Sequence, residues 1–392
     1  MPPVTSLFPA VSLSLAARSD RRLEALRVEV REFVTGEIAS GGFVPGCDAW
    51  LSGWDPAFSK RLAERGWLGL TLPSEYGGGG RSSLDRYVLT EELLAAGAPV
   101  AAHWVADRQI GPSLLRYGSE VQRQRFLPGI VRGEMYFSIG MSEPDSGSDL
   151  ASVRTRAERV DGGWLLNGTK IWTSGAHHAH AFFVLARSAA VEGDRRAGLS
   201  QFIVPLEAAG IGIRPIRLLT GAHHFNEVVL QDVFVPDDMV LGEIGQGWRQ
   251  VSLELAFERS GPERFLSTYP LFSAVLDELG EQAAGDRSVT RAIGQIVARV
   301  WTLRQLSFTI AASLVSGVAE ELPAALVKDL GTRFEGELVE ACRRLVQIEP
   351  DPAGAGTAGM LARAVLHAPG FTLRGGTNEI LRSIVAKGLG LR

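Results

Sequence analysis

Twice along this 392-residue chain the spacing of apolar residues changes period, and no single kind of regular structure satisfies both periods. Up to about residue 133 the spacing is three and four, as in "RRLEALRVEVREFV", "AFSKRLAERGWLGL" and "YVLTEELLAAG", with breaks at "LPSEYGGGG" and "YGSEVQRQRF". Between about 137 and 236 short β-rich runs alternate with turn residues. "HAFFVLARS", "LSQFIVPL", "IGIRPIRL" and "FNEVVLQDVFVP" predict strands, with Pro205, Pro215 and Pro236 confined to ends or edges. "GWLLNGTKIW" predicts a hairpin, because its Asn167-Gly168 pair suits a turn with two positive φ angles. After residue 247 the helical period returns in "WRQVSLELAFERS", "YPLFSAVLDELGEQ", "VTRAIGQIVARVWTLRQLSFTIAASLV" and "ALVKDLGTRFEGELVEACRRLVQI", then breaks at "EPDPAGAGTAG". Helices, strands, helices predict an α+β protein with segregated domains: helical over 1–133, β over 134–240, helical over 241–392.

The partner class follows from charge. Net charge is −4 and the 40 basic residues are spread along the chain, which argues against nucleic acid or an anionic membrane surface and for a small-molecule substrate. Cys47 and Cys342 stand far apart and make neither a disulfide framework nor a metal-ligand set, which fits a reducing, cytoplasmic setting. The apolar stretch 7–17 lacks a basic flank and is not read as a signal peptide, and no run reaches transmembrane length.

Several clusters could carry chemistry. "MSEPDSGSDL", residues 141–150, crowds hydroxyls, acids and small residues into one loop whose N–H groups suit an anion such as a pyrophosphate; a polar surface turn explains it equally well. Trp172 of "WTSG", taken alone, reads as core sooner than as a stacking platform for a cofactor. His177, His178, His180, His223 and His224 lack a helical metal-binding spacing and read as loop or channel lining, and His103 as a satisfied helix histidine, so no metal is expected. In "LELAFERSGPERF" three glutamates compete for a role. Glu254 and Glu258 share a helical face, whereas Glu263 reads as a surface partner of Arg264.

In combination, "GWLGLTLPSEYGGGG", "YGSEVQRQRFLPGIVRGE", "MSEPDSGSDL", "NGTKIWTSG" and "GGTNEILRSIVAKGLG" resemble the acyl-CoA dehydrogenase family in order and spacing over essentially the whole chain. The resemblance implies an N-terminal helical domain, a central β-domain and a C-terminal four-helix domain, with FAD between the last two. It also implies α,β-dehydrogenation of an acyl-CoA thioester, with electrons leaving to an electron-transfer flavoprotein. Carried over by position, Met141 and Ser142 look like flavin-ring contacts and Ser148 like the pyrophosphate hydroxyl. Trp172 then packs on the flavin ring, Ser174 lies near its N5 and O4 edge, and Thr377 and Glu379 contact FAD. Many members carry their catalytic glutamate just before a Gly-Thr pair near the C-terminus, where this chain has Gly375. A branch including isovaleryl-CoA dehydrogenase carries it on the first helix after the β-domain, directly before an arginine, which here gives Glu258 as base and Arg259 as substrate-binding neighbour. Gly375 would then offer its N–H to the thioester oxygen.

Two stretches depart from the family. "GEQAAGDRSVTRAIGQ" lacks the usual Arg-x-x-Phe-Gly, and "IEPDPAGAGTAG" replaces a Gly-Gly-x-Gly loop. Both resemble the bacterial steroid side-chain type, built from two different subunits, so a heterotetramer stands beside the family's usual homotetramer. Two other functions stay open. One is an oxidase or flavin monooxygenase on the same fold, separable by oxygen consumption, and the other is a non-catalytic partner subunit, separable by colour.

Overall fold

The computed structural model describes residues 20–280, 285–315 and 321–391; within these, nothing is described of the side chains of Leu253 and residues 255–258. The stretch 7–17 and part of the 280–295 departure therefore lie outside the described residues.

Local sequence sets the helix starts. The side chain of Asp20 caps α1 (Arg21–Ala39), and Asp55 followed by Pro56 starts α2 (Pro56–Glu64). Ser82 and Asp85 form a capping box at α3 (Ser83–Ala95). After α4 (Gly111–Tyr117) the chain breaks at Gly118, but "SEVQRQRF" is helix: Ser119 and Gln122 form a second capping box at α5 (Glu120–Val131). The strands follow as β1 (Phe137–Gly140), β2 (Arg156–Val160), β3 (Gly163–Lys170), β4 (Ala181–Arg187), β5 (Leu199–Pro205), β6 (Ile211–Arg217), β7 (His223–Pro236) and β8 (Val240–Leu241). The last helices are α6 (Gly247–Glu258), α7 (Tyr269–Leu279), α8 (Arg287–Val315), α9 (Glu321–Leu345), α10 (Gly356–Phe371) and α11 (Asn378–Gly388). Among the described residues no helix is long and apolar enough to cross a membrane.

The chain forms two compact units. One contains residues 54–80 and 100–255, and the other contains residues up to 53, 81–99 and 256 onward, so the division falls inside α6. In the first, an eight-stranded sheet runs β6-β7-β3-β2-β4-β5-β8, with β1 parallel to β4. Residues 181–186 of β4 are all buried, the continuous apolar run expected of a strand covered on both faces. Phe182, Phe183, Phe202 and Val204 form its core with Ile110, Leu127 and Ile130 of the helical segments. Pro215 sits on the edge strand β6, and Pro205 and Pro236 end β5 and β7.

The hairpin expected at Asn167-Gly168 is not there. β3 runs straight through both residues, and the reversal from β2 falls at Asp161–Gly162, with Gly162 at φ 71°. Asn167 instead pins a bulge against β7. Its Nδ2 donates to Asp232 Oδ1 at 2.9 Å and its Oδ1 accepts the Asp232 N–H at 2.9 Å, holding Asp232 at φ 50°. At Gly168 a Cβ would lie 2.7 Å from Thr155 Cα, so glycine serves a close approach there and not a turn.

In the second unit α1, α3 and α8 are tied by charge as well as packing. The buried Arg27 pairs with Glu91 (2.7 Å) and Glu92, and Arg304 of α8 reaches Glu91 at 2.6 and 3.1 Å. Tyr87 meets Phe308 edge-on. Helix α9 packs against α8, α10 and α11 with Phe334, Leu338 and Cys342 buried.

Candidate functional site

The sequence-predicted residues fall into two groups, one in each unit. In the β-containing unit the organising feature is a buried ion pair. Lys170, at the end of β3, is fully buried and donates to Glu143 Oε1 (2.8 Å) and to the Met141 carbonyl (3.2 Å). Glu143 also accepts the N–H groups of Arg154 (2.7 Å) and Thr155 (2.8 Å). Burial alone would raise the Glu143 carboxyl, but Lys170 and these donors hold it below the ordinary carboxylate range. Burial pushes Lys170 down to about 8, with Glu143 opposing the shift. The pair fastens the 141–149 loop to β3.

Around that anchor Met141, Ser142, Trp172 and Ser174 come together. The Ser142 carbonyl accepts the Ile171 N–H (2.9 Å), and the Ser174 carbonyl accepts the Ser138 hydroxyl (2.7 Å). Ser148 lies further along the loop and is exposed. Trp172 does not enter the core. It is 52% exposed and held at φ 60°, a left-handed conformation that costs an L-residue about 1–2 kcal/mol. Beside it Thr173 is fully buried, and its Oγ1 has no hydrogen-bond partner among the described residues. An exposed indole in a strained conformation, next to an orphaned hydroxyl, fits a planar, polar-edged group such as a flavin.

His177, His178 and His223 form a stack rather than a convergent ligand set, while His180 packs on Tyr136 and His224 on Phe225. His177 lies 3.9 Å from both His223 and His178, and His178 stacks on Trp54 at 4.8 Å. Asn226 spans His177 Nδ1 (3.0 Å) and His223 Nε2 (2.8 Å). Burial, followed by the neighbouring rings, pushes His177 down to about 4. Among the described residues no group of His, Cys, Asp or Glu is arranged to hold a metal ion. His103 is buried within 2.8 Å of Ser59 Oγ, and burial pushes it down to about 3.

Of the three glutamates, Glu254 is buried and engaged by Ser113 Oγ (2.9 Å) and Gln201 Nε2 (3.3 Å). Glu258 ends α6, and its side chain lies outside the described residues. The surface role read for Glu263 and Arg264 is overturned: each is only 1% exposed, in the short turn Pro262–Arg264. Arg264 has its guanidinium over Trp50, 5.4 Å from the ring centroid.

In the helical unit the second group gathers at the turn between α10 and α11. Gly375 and Gly376 are left-handed, at φ 64° and 90°. Arg259, itself buried, donates from Nε to the Gly375 carbonyl (3.2 Å). The buried Lys328 donates to the Gly376 carbonyl (2.6 Å). A Cβ at Gly375 would lie 2.7 Å from Arg264 Nη2, so a guanidinium fills the space a side chain would need. Among the described residues none accepts a hydrogen bond from the Gly375 or Gly376 N–H. Arg374 anchors the turn through Asp48, at 2.7 and 2.8 Å. Thr377 stands at the N-cap position of α11, and Glu379 in its first turn is held below the usual carboxylate range by its own N–H and the Thr377 hydroxyl. Lys328 and Lys170 escape sequence reasoning, because a single lysine among apolar residues reads as solvated.

The chain matches the family descriptions "Acyl-CoA dehydrogenase, N-terminal domain" over residues 20–134, "middle domain" over 138–233 and "C-terminal domain" over 245–390. It is 34% identical over 379 residues to "Acyl-CoA dehydrogenase IpdE1" of Mycobacterium tuberculosis, covering 93% of this chain and 96% of that protein. Among solved structures, one titled "Tcur3481-Tcur3483 steroid ACAD" is 30% identical with a TM-score of 0.83, covering 95% of this chain and 98% of that one. The "ChsE4-ChsE5 complex from Mycobacterium tuberculosis" is 29% identical with a TM-score of 0.80, again over 95% and 98%.

Proposed function

Since this chain belongs to the acyl-CoA dehydrogenase family, we propose that it removes one hydrogen each from Cα and Cβ of an acyl-CoA thioester to give the 2-enoyl-CoA. FAD, when bound, supplies the acceptor for the β hydride, and an electron-transfer flavoprotein takes the electrons onward. Glu258 takes the α proton. The N–H of Gly375 donates to the thioester oxygen and stabilises the negative charge that grows there as the proton leaves. Arg259 holds the Gly375 carbonyl, which belongs to the following peptide unit, and so steadies the turn that carries the donor. Met141, Ser142, Trp172 and Ser174 receive the flavin ring, Ser148 the pyrophosphate, and Thr377 and Glu379 contact FAD from the start of α11.

The observation that carries this reading is the state of position 375. It is a left-handed glycine whose side-chain space holds the Arg264 guanidinium, so no carboxylate base stands there and the proton acceptor must come from another element. Glu258, directly before the arginine that grips the same turn, is the candidate.

The deciding measurement is the visible spectrum of the purified protein before and after anaerobic addition of a panel of acyl-CoAs. A flavin band bleached by some of them is expected, and Glu258→Gln should slow bleaching by about 10²–10⁴-fold. A variant with near wild-type turnover sinks the assignment of Glu258, and a colourless protein that stays unbleached after added FAD sinks the catalytic reading.

A homotetramer is the assembly proposed first. Because one similar structure is titled a two-component complex, a heterotetramer is the second reading. The proposed setting is cytoplasmic.

A further inference from the structure

Lys328, near the start of α9, has no exposed surface, and its ammonium donates three times to one short segment of chain. Nζ donates to the Thr372 carbonyl (3.2 Å), the Gly376 carbonyl (2.6 Å) and Asn378 Oδ1 (2.7 Å). All three acceptors lie between the end of α10 and the first residue of α11, the segment that carries Gly375. One helical turn along α9, Thr332 Oγ1 also donates to Asn378 Oδ1 (3.2 Å), and Asn378 Nδ2 returns a bond to the Asp329 carbonyl (3.3 Å). Two adjacent glycines have the widest conformational freedom the backbone allows, so their left-handed geometry is selected by what grips their carbonyls. Within a peptide unit C=O and N–H point in opposite directions. Fixing the Gly375 carbonyl on Arg259 and the Gly376 carbonyl on Lys328 therefore turns the N–H groups of Gly376 and Thr377 away from those cations. Burying an ammonium costs several kcal/mol in lost hydration, and an apolar residue would fill the same space without that penalty.

We propose that Lys328 is a positioning residue for the Gly375–Gly376 turn, fixing the peptide unit that carries the Thr377 N–H, while Arg259, just past the end of α6, fixes the one that carries the Gly376 N–H. The catalytic consequence rests on the reading of Gly375 as the thioester-oxygen donor, whose N–H lies in the peptide unit just before these two and is held through them; the structural consequence does not.

The test uses full-length protein loaded with FAD, comparing wild type with Lys328→Met. Amide hydrogen exchange over residues 372–381 is measured without substrate, and kcat and KM with the acyl-CoA that bleaches wild type best. Exchange in that segment is expected to rise by about tenfold with α1 and α3 unchanged. Misorientation of the donor should lower kcat by about 100-fold with KM within a few-fold. Wild-type exchange in the segment overturns the proposal. So does an increase spread evenly over all segments, or a rise in KM at unchanged kcat, each of which marks a merely stabilising lysine. Should Lys328→Met fail to fold, Asn378→Ala, which removes one Nζ acceptor, is expected to give the same local pattern at smaller amplitude, and wild-type exchange in it overturns the proposal equally. If no acyl-CoA bleaches the wild type, the functional reading fails and the exchange measurement still decides the role of Lys328.

Discussion

Position 375 shows how little room a single residue can have. A side chain there meets both a left-handed φ and the Arg264 guanidinium, so Gly375→Ala should lose at least about 1–2 kcal/mol of stability from backbone strain alone. Urea unfolding measures it, and an unchanged midpoint would mean that the turn relaxes freely. Glu335 of α9 sits at the opposite extreme, a carboxyl that fits but pays no dividend when charged. It is fully buried, Oε1 accepts the Ser267 N–H (2.8 Å) and Oε2 has no hydrogen-bond partner among the described residues. Burial pushes it up to about 7, against the lowering influence of Arg374. Its folded value therefore lies above its unfolded one, so its contribution is fully present below about 4.5 and is lost as pH rises through about 7. The loss amounts to about 3 kcal/mol at most. Glu335→Gln should flatten the stability profile between pH 5 and 8 and gain most at pH 8; a wild-type slope in the variant would show that Glu335 is not the group titrating. None of this was visible in the sequence. Local pattern marks Glu263, Arg264, Lys328 and Glu335 as charges on helices or turns, whereas their burial comes from contacts distant in sequence, such as that of Arg264 with Trp50.

Elements were legible wherever their own residues decide them. The apolar runs of β4 and β5, the alternation in β7 and the three-four spacing of α1, α3 and α8 all gave elements close to their expected places. β3 misled because Asn-Gly has two structural uses, and the choice between them was made by β7 and Thr155, which no local window contains. The 141–149 loop was recognisable by composition, while the pair that anchors it, Lys170 with Glu143, was not. Lys170→Met should strand a buried carboxylate and cost about 3–5 kcal/mol, with Lys170→Met/Glu143→Gln recovering much of it. A double-mutant cycle by urea unfolding checks this, and additive losses would mean that the two side chains are not coupled.

Across the whole molecule, period along the chain and compactness in space are different properties. The same helical spacing recurs between residues 20 and 133, yet α1 and α3 belong to the compact unit that holds α7 to α11, and α2, α4 and α5 to the unit that holds the sheet. Sequence period cannot reveal this, because membership is decided by bonds such as Arg27 to Glu91 and Arg304 to Glu91, which join residues far apart in the chain. A fragment of residues 241–392 should therefore lack near-ultraviolet circular dichroism and expose Phe308, since Tyr87 and Glu91 are missing. A fragment with a native-like near-ultraviolet spectrum would show that α1 and α3 are dispensable. For the full chain, light scattering should give four subunits per particle, alone or with a second protein; a monodisperse monomer that turns over acyl-CoA would remove both assemblies proposed.

Cys47 and Cys342 are both buried, and burial pushes each thiol up to about 12. Thiolate is the reactive form, so at neutral pH neither competes for an alkylating reagent while the protein stays folded. The natural chain is thus already a clean background for labelling: one cysteine introduced at an exposed position would take a fluorophore or spin label alone, and reaction at the native pair would report unfolding in real time.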